Sequence, residues 1–227
     1  MLKEICFLLL SFCVIFTAKS YIMNIFFKSV YKKYDNLMFN KDYDNAVKLL
    51  ESSKKFGVLR YLKDHLLHLY FATNQYEKFK RAKPLYGYIK PLNDSLKQKS
   101  DIEYKILDTI FLYLKDDIEQ ADEEYIDLIQ KHEDFEYKIR YYGLYNLFSI
   151  LKLVNSFYAN YYEQVKDLYN YLIPSTINTS ILTIITYYMC RVYEAENNTE
   201  AILKLIDDNK IGNNHYSHYL DKWRISK

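Results

Sequence analysis

Apolar residues recur along this chain at intervals of three and four, in stripes bounded by short polar turns. Phe27, Val30, Tyr31, Tyr34, Leu37 and Met38 form one such stripe, Leu62, Leu66, Leu69 and Tyr70 another, and Ile102, Ile106, Ile110 and Leu114 a third. That spacing is the period of an amphipathic helix and predicts helices over about 24–39, 58–72 and 101–114. Five turns punctuate the pattern. They read Asp42-Tyr43-Asp44-Asn45-Ala46, Gln75-Tyr76-Glu77-Lys78-Phe79, Asp117-Ile118-Glu119-Gln120-Ala121, Tyr161-Tyr162-Glu163-Gln164-Val165 and Asn197-Asn198-Thr199-Glu200-Ala201. From Ala46 through Phe79, Ala121 and Val165 to Ala201 the steps are 33, 42, 44 and 36 residues. A recurrence on this scale is that of helix-pair solenoids, whose units bury their apolar faces against neighbours.

Each turn joins a first helix to a second. After 24–39, Asn40-Lys41-Asp42 breaks and caps, and a second helix carries Ala46, Val47, Leu49 and Leu50. The helix over 58–72 is followed by a short one stopped by Pro84, with 84–98 as a connector. Pairs over 101–114 with 117–130, 136–157 with 161–172, and 178–196 with 199–207 complete the series, Pro174 ending the fourth. The remainder from Gly212 is expected to form a loop and a short polar helix with Trp223 that covers the last apolar face. The expected fold is therefore all-α, an α-solenoid of about five antiparallel helix pairs behind an N-terminal hydrophobic helix. Its segments are an N-terminal stretch 1–23, a repeat domain 24–208 and a capping segment 209–227.

These residues resemble the tetratricopeptide-repeat family, which places a small residue early in the second helix and an aromatic three residues before it. Tyr43/Ala46, Tyr76/Phe79, Ile118/Ala121 and Tyr162/Val165 occupy those places, with Asn198/Ala201 in the fifth unit. The family's small residue of the first helix falls on Tyr34, Leu67, Thr109, Leu153 and Met189, so the likeness is to a degenerate, right-handed array. The resemblance implies a concave groove lined by first helices that receives an extended peptide or a partner helix. Carried onto this chain, its groove positions are Tyr31, Asp35, Tyr61, Asp64, His68, Tyr113, Phe157 and Tyr193. The family's Lys, Asn and Arg clamp for a peptide carboxylate has no counterpart among them. Failing the groove, the next binding surface is the Tyr-rich helix around Tyr141, Tyr142 and Tyr145.

Composition narrows the function. With 4 Gly and 3 Pro in 227 residues, there is little material for hairpins or a phosphate-cradling loop. No nucleophile motif or zinc-protease motif occurs, so the reading is non-enzymatic, without cofactor or metal. A formal charge of +2 gives no global footprint for nucleic acid. The 26 tyrosines supply rigid amphipathic contact area. The pairs His65/His68 and His215/His218 lie at i, i+3 on one helical face, with no third ligand in sequence. Cys190 is alone in the body of the chain and is expected to be a buried small hydrophobe. An acidic block, Asp116, Asp117, Glu119, Asp122, Glu123, Glu124, Asp127, Glu133, Asp134 and Glu136, is relieved only by Lys131. Part of it suits a helix N-terminus, and Glu123 and Glu124 are candidates for docking a basic partner.

Residues Ile5 to Ala18 are an apolar run, short for a membrane span, which resumes in Tyr21-Ile22-Met23-Asn24-Ile25-Phe26-Phe27. Lys19, Lys28, Lys32 and Lys33 follow or interrupt it, which by the positive-inside rule keeps the body on the cytoplasmic side of a bacterial-type membrane. The alternatives are a secretory signal cleaved at Ala18-Lys19-Ser20, which would make a secreted adaptor, and a buried helix. The functional expectation is a membrane-anchored helical-repeat scaffold for an unidentified protein or peptide partner. A peptide-sensing regulatory module is a further alternative.

Overall fold

A computed structural model describes the backbone of residues 21–53 (without 23), 59–87, 94–131, 134–176, 178–209 and 211–224. Within these, side chains of 59–64, 83–87 and 94–96 lie outside the description. The apolar run of residues 1–20 is also outside it. The described chain is all-helical and contains no strand. It divides into two compact units, Met1–Leu69 and Tyr70–Lys227, with the boundary inside one helix.

In the first unit α1 covers residues 24–39, and α2 is Tyr43–Ser52. α3, Leu59–Ala72, runs from this unit into the next. Val30 and Tyr34 of α1 are buried, as are Tyr43, Ala46, Val47 and Leu50 of α2. The Asp42 carboxylate caps α2 by accepting from the Asn45 amide at 3.4 Å.

The second unit continues with α4 (Tyr76–Gly87), α5 (Asp94–Leu114) and α6 (Ile118–Gln130). Next come α7 (Phe135–Tyr141), α8 (Tyr145–Tyr158) and α9 (Tyr162–Leu172). α10 (Thr179–Ala195), α11 (Thr199–Asp208) and the short α12 (Asp221–Arg224) close the chain. α5 packs against α6 and α8, α8 against α9, and α10 against α8, α9 and α11. Ile102, Ile106 and Ile110 of α5 are wholly buried, each contributing about 1.5–3 kcal/mol of transfer free energy. Ala121 of α6, like Ala46 of α2, has no exposed surface.

The turns share one backbone geometry. Lys41, Asn74, Asp116, Asn160 and Asn197 all adopt left-handed conformations, with φ of 57°, 53°, 58°, 62° and 57°. After each, the next amide reaches back five residues: Asp42 to Leu37, Gln75 to Tyr70, Asp117 to Leu112, Tyr161 to Ser156 and Asn198 to Tyr193, at 2.8–3.0 Å. The left-handed residue itself donates to the carbonyl three back, as Asn74 does to Phe71. This pair of bonds is the Schellman motif, which satisfies carbonyls left over at a helix end. Asn and Asp accept the left-handed region more readily than most residues, which is why the turns are polar yet poor in glycine.

Several sequence expectations are corrected. The helix expected over 136–157 is two helices, because Gly143 (φ 69°) adds a sixth Schellman turn: its amide donates to Arg140 and that of Leu144 to Ile139. Pro84 does not stop α4, which runs on to Gly87, and α5 starts at Asp94 rather than Asp101. Proline removes one intrahelical bond and crowds one carbonyl, which bends a helix without ending it when the flanking turns hold. The fifth motif is also shifted by one residue. In the first four turns the residue five after the left-handed position is Ala46, Phe79, Ala121 or Val165, each wholly buried. In the fifth it is Ile202, which is buried, whereas Ala201 is half-exposed.

Candidate functional site

The residues assigned to the groove do not form an exposed aromatic line. Tyr31, Asp35 and His68 are exposed, while the side chains of Tyr61 and Asp64 lie outside the described residues. Tyr113 and Phe157, expected to line the groove, are buried. Tyr113 lies flat on Tyr158, ring centroids 5.0 Å apart. Its hydroxyl donates to the Asp122 carboxylate at 2.5 Å and accepts from the Asn155 amide at 2.7 Å. Burial first, and then the bond to Asp122, push its pKa up, so the phenol stays neutral. Phe157 is enclosed by Tyr158, Tyr162 and Tyr188, with the Arg191 guanidinium 4.9 Å over its face. Tyr193 is half-buried against a cluster of Cys190, Ile202, Ile206, Leu220 and Trp223. Periodicity cannot separate a groove-facing from a core-facing aromatic when both lie on the same helix.

Much of the tyrosine content has a structural use. Tyr158 donates to the Tyr113 carbonyl at 3.0 Å, Tyr219 to the Leu114 carbonyl at 3.0 Å, and Tyr216 to the Phe71 carbonyl. Ser180 donates in the same way to Ala72 at 2.8 Å. These carbonyls lie at the C-terminal ends of α3 and α5, where backbone acceptors lack intrahelical donors. A tyrosine fills apolar space with its ring and meets such an acceptor with its tip.

Other candidates resolve as follows. The acidic block is partly neutralised: Lys105 meets Asp127 at 2.5 Å and Glu124 at 3.7 Å, and Lys131 meets Asp127 at 2.7 Å. The hydrogen bond from Lys105, then that from Lys131, holds the Asp127 carboxyl below the usual range. Asp122 is held by Tyr113, and Asp116 accepts from Tyr158 at 3.2 Å. Glu123 and Glu119 are exposed and make no ion pair among the described residues. His65 Nδ1 lies 3.2 Å from the Tyr34 hydroxyl, and the His218 ring packs on Tyr219 at 4.2 Å. Among the described residues no cluster of three His, Cys, Asp or Glu is placed to hold a metal ion. Burial pushes the Cys190 thiol up to about 12, which favours its protonated form at neutral pH. A half-open cavity of about 340 Å³ lies between α11 and the C-terminal segment, lined by Leu203, Ile206, Asp207 and Trp223 among others. There the Arg224 guanidinium is already occupied by the Ile211 carbonyl at 2.7 Å.

An exposed aromatic surface lies on α7, α8 and α9. Tyr137, Tyr141, Tyr145 and Tyr171 are 67%, 66%, 42% and 50% exposed. α7 buries Phe135 and Ile139 and so presents Tyr137 and Tyr141, four residues apart, on its outer side, the rings stacked at 5.9 Å. Tyr141 meets Tyr142 edge-on at 5.3 Å, and Tyr145 meets Tyr171 edge-on at 5.8 Å. The Arg140 guanidinium covers Tyr145 at 5.8 Å, while Tyr171 donates to Asn146 at 3.2 Å and Tyr142 to Gln98 at 3.0 Å. Ring contacts hold Tyr137, Tyr141 and Tyr142 together, and separately Tyr145 with Tyr171. Tyr141, Tyr142 and Tyr145 were legible from sequence as a Tyr-rich segment. Tyr137 could have been found from its i, i+4 relation to Tyr141, but Tyr171 joins only through the packing of α9 on α8. Searches against known protein families, curated proteins and solved structures find no match to this chain.

Proposed function

We propose that the chain is a non-enzymatic, tetratricopeptide-like helical scaffold that binds a protein partner through the tyrosine surface of α7, α8 and α9, held to a membrane by its N-terminal segment. The observation that carries the binding reading is two pairs of exposed tyrosines, Tyr137 with Tyr141 and Tyr145 with Tyr171, each pair in ring contact. At about 150–250 Å² per ring, their exposed portions amount to roughly 500 Å². Exposed apolar patches of a few hundred Å² on ordinary monomers are often functional. Tyrosines fixed by their neighbours lose little side-chain entropy on binding, which is why they recur as anchors. The repeated Schellman turns support the repeat reading, and the apolar run of residues 5–18 supports the tether. An extended peptide or a partner helix, with Arg140 orienting it, is the kind of ligand such a face accepts.

The test compares capture of cellular partners by the full chain and by the double variant Tyr137→Ser, Tyr141→Ser. Captured proteins should be lost from the variant while its circular dichroism is unchanged. Equal capture by both would overturn the assignment of this surface. The acidic side of α6 is a second reading, favoured by Glu119 and Glu123, which are exposed and make no ion pair among the described residues. Glu119→Lys with Glu123→Lys should then abolish capture that the tyrosine variant retains.

A further inference from the structure

α1 has two unlike sides, and the outer one changes character along its length. Val30 and Tyr34 face the first unit's interior. On the outer side Ile25 is 53% exposed, and just before the helix Tyr21 and Ile22 are 69% and 64% exposed, a cost in water with no internal return. One to two turns further along come Lys28, Lys32 and Lys33, all exposed and none in an ion pair among the described residues. Asp35 is the one carboxylate on α1. Ile25, Lys28 and Lys32 are spaced i, i+3 and i+7, so apolar and basic positions share one stripe of α1.

We infer that the N-terminal end of α1 and the residues just before it rest on a bilayer bearing anionic lipid, with Tyr21, Ile22 and Ile25 at the acyl boundary and Lys28, Lys32 and Lys33 on the headgroups. The order of residues carries this choice of occupant. A purely apolar protein groove would cover the apolar residues but would leave Lys28, Lys32 and Lys33 without counter-charge. A neutral lipid surface would do the same. At about 1.5 Å per residue, Ile25 to Lys33 spans roughly 12 Å, comparable with a headgroup layer and a Debye length. The apolar run at 5–18 delivers α1 to such a surface, and tyrosine is a residue favoured at that depth. The inference rests on the tethered reading above and adds to it the lipid class and the residues that recognise it. Each lysine near an anionic surface contributes about 1 kcal/mol, so three correspond to a preference of about a hundredfold over neutral lipid.

The experiment uses the full chain with vesicles of phosphatidylcholine alone and of phosphatidylcholine mixed with phosphatidylglycerol. Co-flotation reports binding, and an acetylating reagent followed by mass spectrometry reports the exposure of each lysine. Lys28, Lys32 and Lys33 should be shielded at least about tenfold on the mixed vesicles and remain reactive on the neutral ones. Lys41 and Lys48, further from the apolar end, should react alike on both. A variant carrying Lys28→Gln, Lys32→Gln and Lys33→Gln should lose the preference for mixed vesicles and keep its binding to neutral ones. If the chain floats with both vesicles while the three lysines react equally, recognition of anionic lipid is overturned and the tether stands. If the chain floats with neither, both are overturned.

Discussion

Tyr113 shows how a residue selected as a binding anchor can belong to the core. Its ring is enclosed and its hydroxyl joins α5 to Asp122 on α6 and Asn155 on α8. Tyr113→Phe leaves both partners short of a hydrogen bond and should cost about 1–3 kcal/mol in chemical denaturation. Tyr113→Ala, which also opens a cavity, should cost about 3–5 kcal/mol. Titration gives a second prediction at this scale. Burial raises the phenols of Tyr34, Tyr158 and Tyr219 from 10.0 to about 12. Below pH 10 these groups are neutral in both folded and unfolded chains, and their contribution is fully present. Between pH 10 and 12 only the unfolded chain releases their protons, so stability falls as pH rises. Circular dichroism should show loss of helix across that window, and a flat signal to pH 12 would contradict the burial of Tyr34 and the half-burial of Tyr158 and Tyr219.

At the scale of elements, the recurring feature is the left-handed turn residue. Lys41 has neither the short polar side chain nor the missing Cβ that makes this conformation inexpensive. Lys41→Gly should therefore stabilise the chain by up to about 1 kcal/mol. Gly143→Ala should destabilise it by about 1–2 kcal/mol. A Cβ at Gly143 would meet nothing within 4 Å, so that effect is purely one of backbone conformation. The shifted fifth turn is testable in the same assay. Ile202→Ala should cost about 2–5 kcal/mol, and Ala201→Leu should be nearly neutral. The reverse ranking would restore Ala201 as the packing residue. Neither the shift nor the break at Gly143 was visible in sequence. An Asn-Asn pair offers two candidates for the left-handed position, and a lone glycine within an apolar period is compatible with an unbroken helix.

Across the second unit, the C-terminal segment does more than cover the last helix pair. Leu220 and Trp223 close over Cys190, Ile202 and Ile206, while Tyr216 and Tyr219 reach the ends of α3 and α5. Removing the indole should therefore loosen a region far from it in sequence. Trp223→Ala is expected to cost about 3–5 kcal/mol, and Cys190 should then be alkylated by iodoacetamide under native conditions. In the parent protein the thiol should react only after unfolding. A variant that loses stability while Cys190 stays protected would show that the segment does not seal this cluster.

What the sequence determined by itself was local: the helical class, the polar turns that end the helices, and the placement of Ala46 and Ala121 on buried faces. These follow from periods of three to four residues and from the few residue types that tolerate a left-handed turn, both of which act over a handful of positions. What only the tertiary structure decided was which tyrosines are core and which are surface. Tyr113 and Tyr141 are alike in composition and helical context. One is buried because α6 and α8 pack over α5, and the other stays in water because Phe135 and Ile139 take the inner side of α7. Burial depends on neighbours distant in the chain, and a periodic stripe does not say how many helices will cover it.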